Sequence, residues 1–398
     1  MKGTSKSITS LPGVYASGVA AGIKANGKKD LAFVFVPDAY GSAGVFTQSA
    51  FAAAPVQVSR SAVQRGTIKA VILNAGNANA GTGKQGLRDA NETAACAARL
   101  LGIPRSEVAV ASTGVIGRPL PMDRVKAALG TLLSNPKAQR GRAAAEAVMT
   151  TDLTRKEVHC TGRVAGHRIT VTGFAKGSGM IAPNMATTLG VLATDAKVSS
   201  AILKKLLRQA ADATINMTSI DTDTSTNDTL LVFSTGQSGP RITSTKHQQE
   251  LLALLTTACS TLARSMAADG EGATKLIEVT VHGARNLREA RCIAKNIVSS
   301  PLVKTAIHGA DPNWGRVLAA AGKDPAVRVD PRKVDLTFAG TPVMRKGTIV
   351  PHDRTKIRKL MSGKEVRIDL HLNLGKISAT AWGCDLTHGY VDINVSYS

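Results

Sequence analysis

Nine short runs of β-branched and apolar residues punctuate this chain, and five stretches of helical periodicity lie among them. The strand-like runs are LAFVFV (31–36), KAVILN (69–74), EVAVAST (107–113), RITVTGF (168–174) and TLLVFS (229–234), followed by KLIEVTVHG (275–283), VDLTFAG (334–340), VRIDLHL (366–372) and YVDINVSY (390–397). Apolar residues recur at three-and-four spacing over 85–101, 121–134, 199–214, 247–268 and 287–298, the signature of helices with one buried face. Strands and helices interleave without a strict βαβ rhythm, which predicts a mixed, layered α+β fold. HCTGRVAGHRITV reads as a hairpin turning near Ala165-Gly166. A boundary is expected near residue 280, separating a catalytic region 1–280 from a smaller α+β domain 281–398.

The 398 residues suggest two or three domains. Aromatic residues make up only 3% of a chain that is 43% hydrophobic, so the core is expected to be mostly Ala, Val, Leu and Ile. No run of eighteen apolar residues occurs, so no membrane span is expected. The N-terminal stretch lacks an apolar h-region, which argues against a secretory signal. Cys96, Cys160, Cys259, Cys292 and Cys384 are odd in number and form no CxxC. That pattern suits buried thiols in a reducing compartment better than disulfides or zinc.

The formal net charge is +22, and both halves are basic: 23 basic and 9 acidic side chains in 1–186, 27 and 19 in 187–398. Charge leaves a nucleic-acid role open. No basic block or aromatic platform accompanies it, so a solvated surface, or steering of small anionic substrates, is favoured.

Single motifs carry weak signals. NAGNANAGTG (74–83) departs from a Walker A loop at Ala78 and Gln85 and reads best as a tight structural loop. In ASTGVIG (111–117), Thr113 and Gly114 end a strand and could face a developing oxyanion. GSGMIA (177–182) matches GxGxxA, yet Pro183 and a strand-like sequel argue against a dinucleotide-binding helix. DTDTSTND (221–228) fails as a calcium loop, with Thr226 at its sixth position and Val232 at its twelfth, and reads as a polar loop bonding its own backbone. Glu271, His308 and Trp314 sit in turns, where solvated or packing roles are the default. No HExxH and no GxSxG occurs. In KGSGMIAPNMATTLGVLATDA, no charged residue falls between Lys176 and Asp195.

Taken in order, NAGNANAGTG, ASTGVIG, MTTD (149–152), KGSGMIAPNMATTL, DTDTSTNDT, GEGATK, IHGADPNWGRVLAA and the closing YVDIN resemble the glutamate N-acetyltransferase/ornithine acetyltransferase family of arginine biosynthesis. The resemblance covers essentially the whole chain. It implies a layered sandwich of N-terminal-nucleophile-like type. It implies a precursor that cuts itself between Ala186 and Thr187, leaving chains 1–186 and 187–398. Thr187 would then be both nucleophile and general base, because its freed α-amine has a reference pKa of roughly 7.7–8.0 against about 10.4 for lysine. Thr113 and Gly114 match the family's oxyanion hole. Thr150, Lys176, Thr187, Glu271, Asn394 and Ser398 match its substrate contacts. Lys176 suits a substrate carboxylate, and Glu271 suits the ornithine ammonium.

The implied reaction moves an acetyl group from N²-acetylornithine to glutamate. No metal or bound cofactor is implied. Acetyl-CoA stands as an optional co-substrate on which no residue decides. The implied partners are these small molecules and an assembly of two α and two β chains in the cytoplasm, with no nucleic acid and no membrane. A related N-terminal-nucleophile aminopeptidase or amidase is the alternative, since the same threonine would serve it. One departure concerns backbone geometry: Thr222 stands where the family usually has glycine.

Overall fold

The computed structural model describes residues 6–182 and 188–395, which form two compact units. The first takes residues up to Gly177, 188 to Asn216, and Thr224–Leu262; the second takes 178–182, Met217–Asp223, and Ala263 onward. Residue 280 lies inside the strand Leu276–Ala284, so the division does not follow the expected boundary. The chain changes unit after Leu262, within the helix Thr245–Ala268. Periodicity identifies elements but not the sheet each one joins. Thr218–Ser219, for example, pairs with Trp382 and Gly383.

Among its described residues the first unit holds two sheets. One orders Tyr15–Val19, Leu31–Phe35, Ala70–Asn77 and Val108–Val115. The other orders Gly41–Phe46, Thr229–Ser238, Leu189–Ala196, His167–Lys176 and Lys156–Val164. Side chains alternate across a strand, and the four-stranded sheet uses both faces. Ala32, Val34, Val71, Leu73, Ala109 and Ala111 join Phe174, Val191 and Phe233 of the five-stranded sheet in one core. Leu31, Phe33, Ile72, Val108 and Val110 point the other way, onto Ala90, Ala94 and Ala97 of the helix Gly83–Leu101 and Val125 and Leu129 of the helix Met122–Leu133. Each fully buried large aliphatic or phenyl side chain contributes about 1.5–3 kcal/mol. A one-residue slip would reverse both faces, so the register is strongly specified. The hairpin Lys156–Val164/His167–Lys176 turns at Ala165-Gly166, as its sequence predicts.

The helix Thr245–Ala268 is long and apolar enough to pass a membrane-span test by composition. Its Leu251, Leu255, Ala258, Cys259 and Leu262 are fully buried at helical spacing, which is the pattern of a core helix.

The described second unit is organised on a seven-stranded mixed sheet. At its middle, Leu276–Ala284 lies between Glu365–His371, parallel, and Ile377–Cys384, antiparallel. The helix Leu287–Val298 starts where the Asn286 side chain accepts from Glu289 N at 2.9 Å, an N-cap. The described part of YVDINVSY, 390–395, is not a strand: His388–Asn394 is helical. Its alternating Val391, Ile393 and Val395 remain exposed, so alternation there reflects no buried face. The segment is fixed instead by its ends. The Thr387 hydroxyl donates to Gly272 O at 2.6 Å, and the Asn394 amide donates to Tyr390 O one turn back at 2.9 Å.

Thr222 has φ +71°, a left-handed conformation that disfavours a β-branched residue by about 1–2 kcal/mol. It is exposed, so little packing would be lost on truncation. Thr222→Gly relieves the strain, partly offset by glycine's greater backbone entropy of about 0.5–1 kcal/mol. A net gain of about 0.5–1 kcal/mol is expected, read as a thermal midpoint raised by roughly 1–3 °C. A lower midpoint would show that the threonine side chain is itself stabilising.

Candidate active site

Several expected site residues lie at the ends of strands in the first unit. Thr113 and Gly114 lie near the end of Val108–Val115, and Lys176 ends His167–Lys176. The pairing of Ala70–Asn77 with Val108–Val115 becomes irregular at Asn77, just where Gly114 faces Gly76. Gly114 has φ +130°, and a Cβ there would lie 2.3 Å from Gly76 C and 2.5 Å from Asn77 N. Only glycine fits this crossing of two backbones.

The Lys176 ammonium donates to Thr113 Oγ1 at 3.3 Å. An ammonium has no acceptor capacity, so the Thr113 hydroxyl is the acceptor and its own proton is directed elsewhere. A hydroxyl that accepts from a cation is a better donor to an oxyanion. The Thr188 hydroxyl, next along the chain from Thr187, donates to Lys176 O.

Beneath Lys176 lies Asp152, a carboxylate that sequence reading gives no signal for beyond its place in MTTD. It accepts from Lys156 Nζ at 2.5 Å, Gly177 N at 2.8 Å and Thr150 N at 3.0 Å. Burial alone would raise its pKa. The Lys176 and Lys156 charges and the hydrogen bonds outweigh that and hold it down at about 2. Asp152 therefore fixes the backbone at Thr150, an expected substrate contact, and at Gly177, next to the expected contact Lys176, and stays ionised at any working pH.

The loop NAGNANAGTG is structural. Asn74 donates to Asn77 O, Asn77 to Arg118 O and Pro119 O, and Asn79 to Gly86 O. Asn227, from the DTDTSTND loop, donates to Ala78 O at 2.6 Å and Ser112 O at 2.9 Å. It ties the loop to the strand that carries Thr113. A cavity of about 380 Å³ opens beside Thr150, lined also by Lys24, Lys28, Lys29, Met149 and Asp152.

The second unit brings together Glu271 and Asn394. Glu271 is buried, and the Asn394 amide donates to its Oε2 at 2.9 Å. Glu271 N donates to Ser178 O at 2.9 Å. A Cβ on Gly179 would lie 2.4 Å from the Glu271 carboxyl carbon, so the close approach requires glycine. Asp221 accepts from Met180 N at 2.5 Å and Ile181 N at 2.8 Å. Burial raises the Asp221 pKa against the pull of those bonds. The Tyr390 hydroxyl is pushed up to about 12 by burial and by Asp221 and Glu271. The GEGATK loop continues through Asp385, which accepts from Thr274 and Lys275 backbone N–H groups at 2.8 Å. His308 Nδ1 lies 3.0 Å from the same carboxylate. His308, expected in a turn, ends the helix Pro301–His308 instead and helps brace the Glu271 loop.

Ala186, Thr187 and Ser398 lie outside the described residues. Burial raises the thiol pKa of Cys160, of Cys292 to about 11, of Cys259 to about 12, and of Cys384, so none of these four is a thiolate nucleophile at neutral pH. Among the described residues, no three His, Cys, Asp or Glu side chains converge to hold a metal ion.

In the first unit, a strand-end hydroxyl polarised by a lysine beside a glycine turn is a group suited to stabilising the oxyanion of an acyl transfer. The ArgJ family model matches residues 15–398, and this chain belongs to the ArgJ family. It is 46% identical over 394 residues to the arginine biosynthesis bifunctional protein ArgJ of Symbiobacterium thermophilum, covering 98% of each chain. It is 44% identical over 396 residues to the protein of the same name from Dehalococcoides mccartyi, covering 98% of this chain and 97% of that one. A crystal structure of ornithine acetyltransferase complexed with ornithine, from Mycobacterium tuberculosis, is 40% identical and covers 46% of this chain and 97% of its own, with a TM-score of 0.41.

Proposed function

We propose that this chain is a self-processing acetyltransferase of arginine biosynthesis that moves an acetyl group from N²-acetylornithine to glutamate through an ester on Thr187. Family membership and near-full-length identity to bifunctional ArgJ proteins support the activity. The observation that carries the chemistry is the Lys176 ammonium donating to the Thr113 hydroxyl beside Gly114, since it leaves a polarised O–H for a tetrahedral oxyanion. The two facing sheets with flanking helices support the N-terminal-nucleophile type of layering.

In processing, Thr187 Oγ attacks the Ala186 carbonyl, the Ala186–Thr187 C–N bond breaks, and the acyl group passes to oxygen. Water then hydrolyses that ester. The products are a carboxylate on Ala186 and a free amine and hydroxyl on Thr187. In turnover, the amine takes the hydroxyl proton as Oγ attacks the acetyl carbon of N²-acetylornithine. The tetrahedral oxyanion takes bonds from the Thr113 hydroxyl and Gly114 N–H, donors each worth roughly 10²–10³ in rate. The C–N bond breaks, and the proton goes to the departing nitrogen of ornithine. The neutral amine of glutamate then attacks the ester, N-acetylglutamate leaves, and Thr187 Oγ regains its proton.

Lys176 pairs with a substrate carboxylate, and Glu271, held by Asn394, pairs with the ornithine ammonium. Thr150 and Ser398 complete the substrate contacts. Acetyl-CoA is an optional second acetyl donor, the assembly is two α and two β chains, and the site of action is the cytoplasm.

The test is ornithine release from N²-acetylornithine with and without glutamate. Stoichiometric N-acetylglutamate and glutamate-dependent turnover are expected. Glutamate-independent release of ornithine and free acetate would instead establish the amidase.

A further inference from the structure

The proposed reaction asks one site to accept a cationic side chain, that of ornithine, and then an anionic one, that of glutamate. Glu271 suits the first. The second needs a desolvated cation other than the lysine that takes the carboxylate common to both substrates. We infer that Lys24 binds the side-chain carboxylate of glutamate in the cavity beside Thr150 and so sets the preference for the acceptor.

The inference rests on the acetyltransferase reading and on five features of the first unit. The cavity, about 380 Å³, is large enough for an amino-acid side chain and contains Thr150, an expected substrate contact. Its negative groups are already engaged. Asp152 is paired with Lys156 at 2.5 Å, and Glu146 with Lys29 at 2.8 Å and Arg155 at 2.7 Å. The Lys24 ammonium donates to Lys29 O at 2.6 Å and Ala147 O at 3.4 Å, and a carboxylate in the cavity takes its third proton. The Lys24 stem lies against Gly76, where a Cβ would come within 2.9 Å of Lys24 Cγ. Gly76 is the residue that Gly114 crosses, so the stem borders the oxyanion turn. Its backbone is pinned by Asp30, which accepts from Ala21, Ile23 and Lys24 N–H groups at 2.5, 2.6 and 2.8 Å.

The charges facing Lys24 are Asp30 and Asp152, which favour its proton, and Lys28 and Lys176, which oppose it. Lys29 and Glu146 also line the cavity. Burial dominates and lowers the ammonium pKa to about 8. An arriving carboxylate favours the protonated form, whereas an ornithine ammonium meets a group that releases its proton readily. Glutamate affinity therefore falls as pH rises through about 8.

Two measurements test Lys24. Equilibrium titration of N-acetylglutamate into the processed protein is expected to weaken about tenfold or more in Lys24→Met and by less than threefold in Lys24→Arg. In steady state, KM for glutamate is expected to rise about tenfold more than KM for N²-acetylornithine in Lys24→Met. The wild-type affinity for N-acetylglutamate, which has no amine to titrate, should fall above pH 8, and that fall should vanish in the variant. Unchanged N-acetylglutamate affinity in a folded Lys24→Met, no binding by wild type, or equal shifts for both substrates would overturn the assignment. Failure of the acetyltransferase reading would show separately, as wild type that releases no ornithine or releases it with free acetate regardless of glutamate, while the titration still reports on Lys24.

Discussion

Thr187→Ala is expected to leave a single uncut chain of 398 residues with no acetyl transfer. The substitution removes the hydroxyl proposed to attack the Ala186 carbonyl, so on that reading the α-amine of residue 187 would never be released. It also removes the atom that would carry the acetyl group. Both losses fall on one residue, and loss of a nucleophile costs on the order of 10⁶ in kcat in enzymes where it has been isolated. Thr187→Ser keeps a hydroxyl and is expected to process and turn over at reduced rate. Intact mass checks both. Wild type should give chains of 186 and 212 residues whose masses sum to the precursor plus one water, and the alanine variant only the precursor. A split alanine variant, or full activity from an unsplit wild type, would remove Thr187 from the mechanism.

The sequence makes the interior of the first unit legible because burial there is written as alternation. LAFVFV, KAVILN and EVAVAST each place successive residues on opposite faces, and the structure sends those faces to two different cores. The same rule fails at YVDINVSY, where alternating Val391, Ile393 and Val395 face solvent on a helix fixed by Thr387 and Asn394. Helices such as Ala54–Arg65 and Gly141–Ala147 carry no comparable signal, because their small residues give little periodic contrast.

The site was legible only as motifs. Thr113 and Gly114 were visible because a strand visibly ends there. Asp152, Asp221 and Asp385 were not, because each is a carboxylate that accepts mainly from backbone N–H groups, many of them far along the chain. Nothing in local sequence distinguishes such a carboxylate from a solvated one. Lys24 escaped for a related reason: its burial comes from Gly76 and the Ala147 carbonyl, both far along the chain.

Asp152→Ala is expected to be strongly destabilising. The Lys156 side chain is 1% exposed and the Asp152 side chain 0%. Removing the carboxylate leaves a buried ammonium without its counter-charge, which costs about 3–5 kcal/mol. Thr150 N and Gly177 N lose an acceptor at the same time. The thermal midpoint should fall by roughly 10 °C. Lys156→Met in the same chain should recover much of the loss, because it removes the stranded charge; no recovery would place the cost in the two amides instead.

The pH dependence has a definite sign. The folded pKa of Asp152 is about 2, below the ordinary value near 4, so its stabilisation is complete above that ordinary value and is lost as pH falls toward 2. The linked free energy is about 2 kcal/mol. Urea midpoints measured from pH 5 to pH 2 should therefore fall more steeply in wild type than in Asp152→Asn, which has no proton to take up. Parallel slopes would mean that this carboxylate is not held in its charged form by Lys176 and Lys156. The support it gives to Thr150 and to the turn after Lys176 would then be steric rather than electrostatic.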